Sequence, residues 1–90
     1  MNTKEWIAEL RASLKRDGNA AHAKQMQAYM KSDMPYFGVK LPEARKTFRE
    51  LAKKIEFANF SAFEKFIRAV YGGAQHREER YAALMMLDVK

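Results

Sequence analysis

The stretch MQAYMKSDMPYFGVKLPEARK, residues 26–46, decides the fold. It joins two helix-like runs through Met34, Pro35, Tyr36, Phe37, Gly38 and Val39, a connection far more hydrophobic than the polar turns that usually link surface helices. Before it, Ala23, Met26, Tyr29 and Met30 form an apolar helical stripe that breaks near Ser32 or Asp33. After it, Pro42 stands where a first-turn proline opens a helix. Gly38 permits a turn that a side chain would obstruct, and Tyr36, Phe37 and Val39 are expected to plug the end of the gap between the two helices.

Working outward, the periodicity predicts helices on both sides and almost no strand. Thr3 is read as the cap of a first helix running to about Asp17, with Trp6, Ile7, Leu10 and Leu14 on one face and Gly18 as its stop. Asn19 caps the second helix. The third is expected from Pro42 to about Glu56, burying Ala44, Phe48, Leu51, Ala52 and Ile55. Ser61 and Glu64 form a capping-box pattern for a fourth, whose Phe63, Phe66, Ile67 and Val70 face inward and which Gly72 and Gly73 end. A fifth begins near His76 or Arg77; its YAALMML run is apolar on nearly all sides and calls for neighbours on more than one face, or for self-association. The expected shared core is Trp6, Leu10, Met26, Met30, Phe48, Leu51, Phe66 and Ile67.

The helices repeat with an offset of 38 residues, from Lys4 to Pro42. Two-helix solenoid repeats of the HEAT and armadillo type have periods of about 40–47 residues. A plain helical bundle explains the same spacing, so the period leaves both open. The 90 residues allow one small domain, and the unclosed last helix reads as the front of a longer array. There is no cysteine, which excludes disulfides and thiol chemistry and fits a reducing, cytoplasmic setting. No signal-peptide core and no apolar run near the roughly 18 residues of a membrane span is visible.

Charge is the compositional asymmetry. Lys and Arg number 17 against 11 Asp and Glu, giving a net +6 and a pI near 9.7. Such a balance attracts polyanions, of which nucleic acid is the commonest inside cells. At 100° per residue Arg45, Arg49 and Lys53 fall within about 80° of one another on the third helix, with Lys46 at the edge of the stripe. The stripe borders the apolar face, so its stems can lie along the body with charged heads toward a groove. Phosphate contact and a solvated polar flank both fit. Lys40 lies beside the positive end of the same helix. His22 and His76 lack partners at metal-ligand spacing and read as surface or helix-end residues, REER at 77–80 reads as a mixed-charge first turn, and the methionines read as packing.

The same opening stretch resembles the N-terminal signature of the DNA alkylation repair family, the AlkD-like DNA glycosylases: a helix ending in Tyr-Met, an aromatic-Gly-hydrophobic turn and a Pro-Glu-Ala-Arg helix start. HREERYAALMML, residues 76–87, is similar to the opening of a later helix in that family. The resemblance implies an all-α fold of antiparallel pairs in a right-handed HEAT-like superhelix, with a basic concave face that holds double-stranded DNA. It implies excision of N3- or N7-alkylated purines without metal or organic cofactor, and without the base-extrusion pocket of most glycosylases. Tyr29 matches a tyrosine that faces the DNA cleft. The family's catalytic aspartate and backbone-cradling tryptophans lie in later repeats, so no residue here inherits a catalytic role; Trp6 reads as core, and Asp17, Asp33 and Asp88 match no catalytic segment. The expected DNA-binding residues are Tyr29, Lys40, Arg45, Lys46, Arg49 and Lys53. Three readings stand: the front of a glycosylase, a noncatalytic helical-repeat module that binds nucleic acid or protein, and a helical bundle that dimerises through an apolar end.

Overall fold

The computed structural model describes residues 1–89, which form five helices and no strand. The helices are α1 (Thr3–Asp17), α2 (Ala20–Met30), α3 (Leu41–Ala52), α4 (Phe60–Gly72) and α5 (Arg77–Val89). The all-α class is as expected. Its caps differ in detail from the sequence reading. Asn2, not Thr3, caps α1, through a box in which its side chain accepts from Glu5 N–H at 2.8 Å and Glu5 accepts from Asn2 N–H. Asn19 caps α2 as read, accepting from His22 N–H at 2.9 Å. Asn59 caps α4 in place of Ser61, while Glu64 is exposed and pairs with Arg68 one turn on.

α3 ends at Ala52, short of Glu56. The Leu51 carbonyl accepts from the Trp6 indole Nε1–H at 2.9 Å and from Lys54 N–H at 3.0 Å, so the last turn closes tightly instead of propagating. Ile55 still reaches the core, from beyond the helix, and Phe57 packs at 4.9 Å between ring centroids on Phe66. Trp6 meets the same Phe66 edge-on at 4.9 Å. Around these rings Leu10, Leu14, Phe48, Leu51, Val70, Ala82, Ala83 and Met86 are all buried. α1 packs on α3, α3 on α5, and α4 lies along α5.

α2 stands apart. Among the described residues it buries no side chain and packs its backbone closely against no other helix. Met30 is half exposed and Met26 only partly buried, so neither belongs to the core expected of them; Ile67 packs on the core's margin. What holds α2 is its junction with α1, against which the hydrophobic turn sits backbone to backbone. A Cβ on Gly18 would collide with the Phe37 carbonyl oxygen, and one on Gly38 with the Asn19 carbonyl oxygen. Gly18 is extended, so its role is this close approach and not a left-handed helix stop. Gly38 needs its φ of 87° as well.

The turn itself is fixed from α5. The Glu78 carboxylate, 1% exposed, accepts from the N–H groups of Phe37 at 2.9 Å, Gly38 at 2.9 Å and Val39 at 3.2 Å. Its neighbour Glu79, equally buried, accepts from Arg11 Nε at 2.7 Å and from the N–H groups of Gln75 and His76. REER is the mixed-charge first turn of α5, as read, and its two carboxylates are polar anchors of the interior. His76 is likewise engaged, stacked on Phe37 at 3.7 Å. Replacing Glu78 by Ala strands two buried donors and a partly buried one and is expected to cost about 3 kcal/mol. Glu78→Gln, which keeps one acceptor oxygen, should cost roughly half of that. Urea unfolding measures both, and an alanine variant as stable as the parent would remove Glu78 from this role.

Candidate nucleic-acid interface

The standing-off of α2 leaves a cleft of about 710 Å³ between it and the α3–α5 face. Met26, Tyr29 and Met30 form one wall, and Leu41, Phe48, Tyr81, Leu84 and Met85 contribute to the other. Apolar side chains dominate, with polar groups at defined points. Tyr36 and Tyr81 meet hydroxyl to hydroxyl at 3.0 Å, and burial, followed by the Tyr81 hydrogen bond, pushes the Tyr36 phenol above its usual range. Of the two carboxylates on the cleft, Glu78 is committed to the turn, and Asp88 is exposed on the last turns of α5 without a hydrogen-bond partner among the described residues.

Tyr29 is 86% exposed. A tyrosine on the edge of an apolar stripe ordinarily buries its ring and wets only its hydroxyl. Here the whole ring projects from α2, because α2 has no helix against which to lay it. Arg45 lies across from it on the same cleft. Lys46, Arg49 and Lys53 continue along the exposed side of α3, outside the cleft walls. Lys53 keeps helical backbone as the C-cap, so the angular stripe read from the sequence runs unbroken to it. Lys40 is the exposed N-cap of α3 and makes no side-chain capping bond, which leaves its ammonium outward.

None of these six side chains makes an ion pair or hydrogen bond among the described residues, whereas Lys54, next to Lys53, is tied to Glu9 at 2.6 Å. The stripe is thus a run of unneutralised cations flanking an apolar cleft that carries a projecting aromatic. Backbone phosphates and stacked or partly exposed bases are met by this combination of residue types. The cleft was not visible in the sequence, since the stripe of α2 read as core. The one available signal was the poor segregation of apolar residues to one face of AAHAKQMQAYM, whose alanines are spread around the helix and supply little surface to bury. The described residues contain no cluster of metal-ligating side chains and no helix long and apolar enough to cross a membrane.

Because Tyr29 is solvated and Phe48 buried, the two should separate cleanly on truncation. Tyr29→Ala is expected to change folding stability by no more than about 0.5 kcal/mol. Phe48→Ala should cost roughly 3–5 kcal/mol. Thermal or urea unfolding of the pair checks the placement of α2, and a large loss at Tyr29 would mean that α2 closes onto the body.

Compared with known sequences, residues 10–90 match the profile of a family described as DNA alkylation repair enzyme. No curated protein and no solved structure gave a match.

Proposed function

The chain belongs to the DNA alkylation repair enzyme family, and from that premise we propose that it is the N-terminal part of a DNA glycosylase-like protein that holds duplex DNA and excises N3- or N7-alkylated purines. In this reading residues 1–90 are a helical-repeat segment of a right-handed HEAT-like superhelix. The segment supplies scaffold and a phosphate-binding face, with Tyr29 directed at the DNA and Lys40, Arg45, Lys46, Arg49 and Lys53 at its backbone.

The observation that supports this reading is the proximity of a tyrosine 86% exposed to a line of α3 cations that have no carboxylate partner among the described residues. Cations that contact phosphates release counterions, and their contribution falls as salt rises. They confer no base preference. Changing Arg45 and Arg49 together to Gln should weaken duplex binding alike for all sequences and reduce the salt slope by up to about two phosphate equivalents. Helix stability should hardly move, glutamine being nearly as good a helix former as arginine. Fluorescence anisotropy at several salt concentrations reads the slope; an unaltered slope returns the stripe to a solvated flank.

The chemistry is assigned elsewhere. Positive charge on an alkylated purine already weakens its glycosidic bond, and the protein's part is a carboxylate that stabilises the developing sugar cation or orients water. On the cleft, Glu78 is spent on the turn and Asp88 has no orienting group among the described residues. The 90-residue chain is therefore expected to release no alkylated purine from duplex DNA. Release that persists through repurification would place the catalytic group within it. A noncatalytic DNA-binding module would share the salt dependence but show no excision in any longer form of the protein.

A further inference from the structure

The cleft between α2 and the α3–α5 face suits a flat ring as well as charge. Its volume of about 710 Å³ lies within the roughly 300–1,000 Å³ of pockets that enclose small organic ligands. Met26, Met30 and Met85 line it, and thioethers are polarizable groups that make favourable contacts with aromatic rings. Tyr29, 86% exposed on the same cleft, leaves its ring available for stacking. Polar groups interrupt the apolar walls at a few points. Arg45 donates, Asp88 accepts and the Gln25 amide can do either. Tyr36, 5% exposed, and Tyr81 also line the cleft, and their hydroxyls meet at 3.0 Å. One of the two donates to the other, and the Arg77 guanidinium, hydrogen-bonded to both, can only donate. The second phenolic proton therefore has no acceptor among the described residues.

The surroundings are cationic. Arg45 lies on the cleft, Lys46, Arg49 and Lys53 continue along α3, and none of the four is ion-paired among the described residues. Beyond Met30 a second groove is lined by Lys31, Arg77 and Arg80. An occupant complementary to this charge joins an aromatic ring to negative groups. A nucleobase also carries ring nitrogens and carbonyl oxygens that accept beside exocyclic amines that donate, which answers the mixed donors and acceptors on the walls. A lipid chain would leave those polar points unused, and an acidic peptide would bring its carboxylates up to Asp88. A fully paired duplex meets only the cations, because its bases are stacked and show the grooves only their edges. A base out of the stack offers its faces to an aromatic side chain and its edge to hydrogen bonds.

We infer that the cleft holds one unpaired nucleobase of a DNA strand, stacked on the Tyr29 ring, while the phosphates of the same strand lie along the α3 cations. The inference rests on the DNA-binding reading above and adds to it a preference for DNA with a base out of the stack. It assigns a holding site and not an excision site, since Glu78 is committed to the turn and Asp88 has no orienting group among the described residues.

The test compares a duplex carrying a single bulged adenine with a fully paired duplex of equal phosphate number. Fluorescence anisotropy should show the bulged duplex bound roughly fivefold or more tighter. Carbon-13 NMR of the methionine methyl groups locates the base: Met26, Met30 and Met85 should shift with the bulged duplex and not with the paired one, with Met86, 1% exposed, as the internal reference. Tyr29→Ala should abolish the preference, and Tyr29→Phe, which keeps the ring, should retain it; unchanged thermal unfolding establishes that both variants are folded. Arg45→Gln with Arg49→Gln should weaken both DNAs alike and leave the preference intact. Equal affinity for the two DNAs with the cleft methyls unmoved, or a preference that survives Tyr29→Ala, would overturn the inference and leave the phosphate contacts standing. Binding of neither DNA would overturn both. An acidic amphipathic peptide that shifts the same three methyls where the bulged duplex does not would assign the cleft to a protein segment instead.

Discussion

One buried carboxylate sets the geometry of this molecule. Glu78 gathers the amides of Phe37, Gly38 and Val39, which lie in neither helix nor strand and so have no regular backbone partner. With the turn fixed on α5, its aromatic residues fall where packing needs them: Tyr36 and Val39 into the interior, Phe37 onto His76. The outer side of the turn then meets the α1–α2 junction at the two positions, Gly18 and Gly38, where only glycine leaves room. The direction of α2 follows from that contact. It leaves the body at an angle that opens the cleft.

The second anchor works on the other side of the same helix turn. Glu79 ties the α4–α5 connection to α1 through Arg11, whose Nη2 also donates to Gly73 O at 2.8 Å. Only Glu79 of this pair is buried, Arg11 being 34% exposed, so loss of Arg11 leaves the carboxylate with two amide donors and costs less than breaking a fully buried pair. Adjacent residues on a helix point about 100° apart. Glu78 and Glu79 can therefore reach opposite neighbours, the turn and α1, and the start of α5 becomes the joint between the two halves of the domain.

Helix number, order and the buried faces of α1, α3 and α4 were legible because each follows from local periodicity and a nearby cap. Asn19 before AAHAKQM and Pro42 after the turn acted as the reading required. Apart from the caps, which fell on Asn2 and Asn59 instead of Thr3 and Ser61, the failures depend on partners distant in sequence. α3 stops early because Trp6, 45 residues away, takes the Leu51 carbonyl. Glu78 and Glu79 look like surface charges until the amides 39 to 41 residues upstream and Arg11 come to meet them. Met26 and Met30 carry the right residue type at the right spacing, but no helix was there to receive them. For the site, the α3 cations were legible as an angular pattern. The exposure of the Tyr29 ring was not, since it is set by the tilt of α2.

That tilt connects stability to binding. Closing α2 on the α3–α5 face would bury Met30, Tyr29, Leu41 and Leu84, all now between 45% and 86% exposed, and apolar burial of that kind is favourable by roughly 25 cal/mol per Å². The chain forgoes this gain because the glycine contacts and the Glu78 bonds hold the α1–α2 junction away, and those cannot be kept if α2 swings inward. The consequence is an apolar cleft bordered by the unpaired cations of α3 on one side and by Lys31, Arg77 and Arg80 on the other, with Tyr29 between them. On the proposed reading, this surface of charge and aromatic ring is the one that meets a polyanion with regularly spaced phosphates. The buried acid that shapes the fold therefore also positions the basic surface: without Glu78 the turn has no fixed seat, and without the turn the two sets of cations have no common edge.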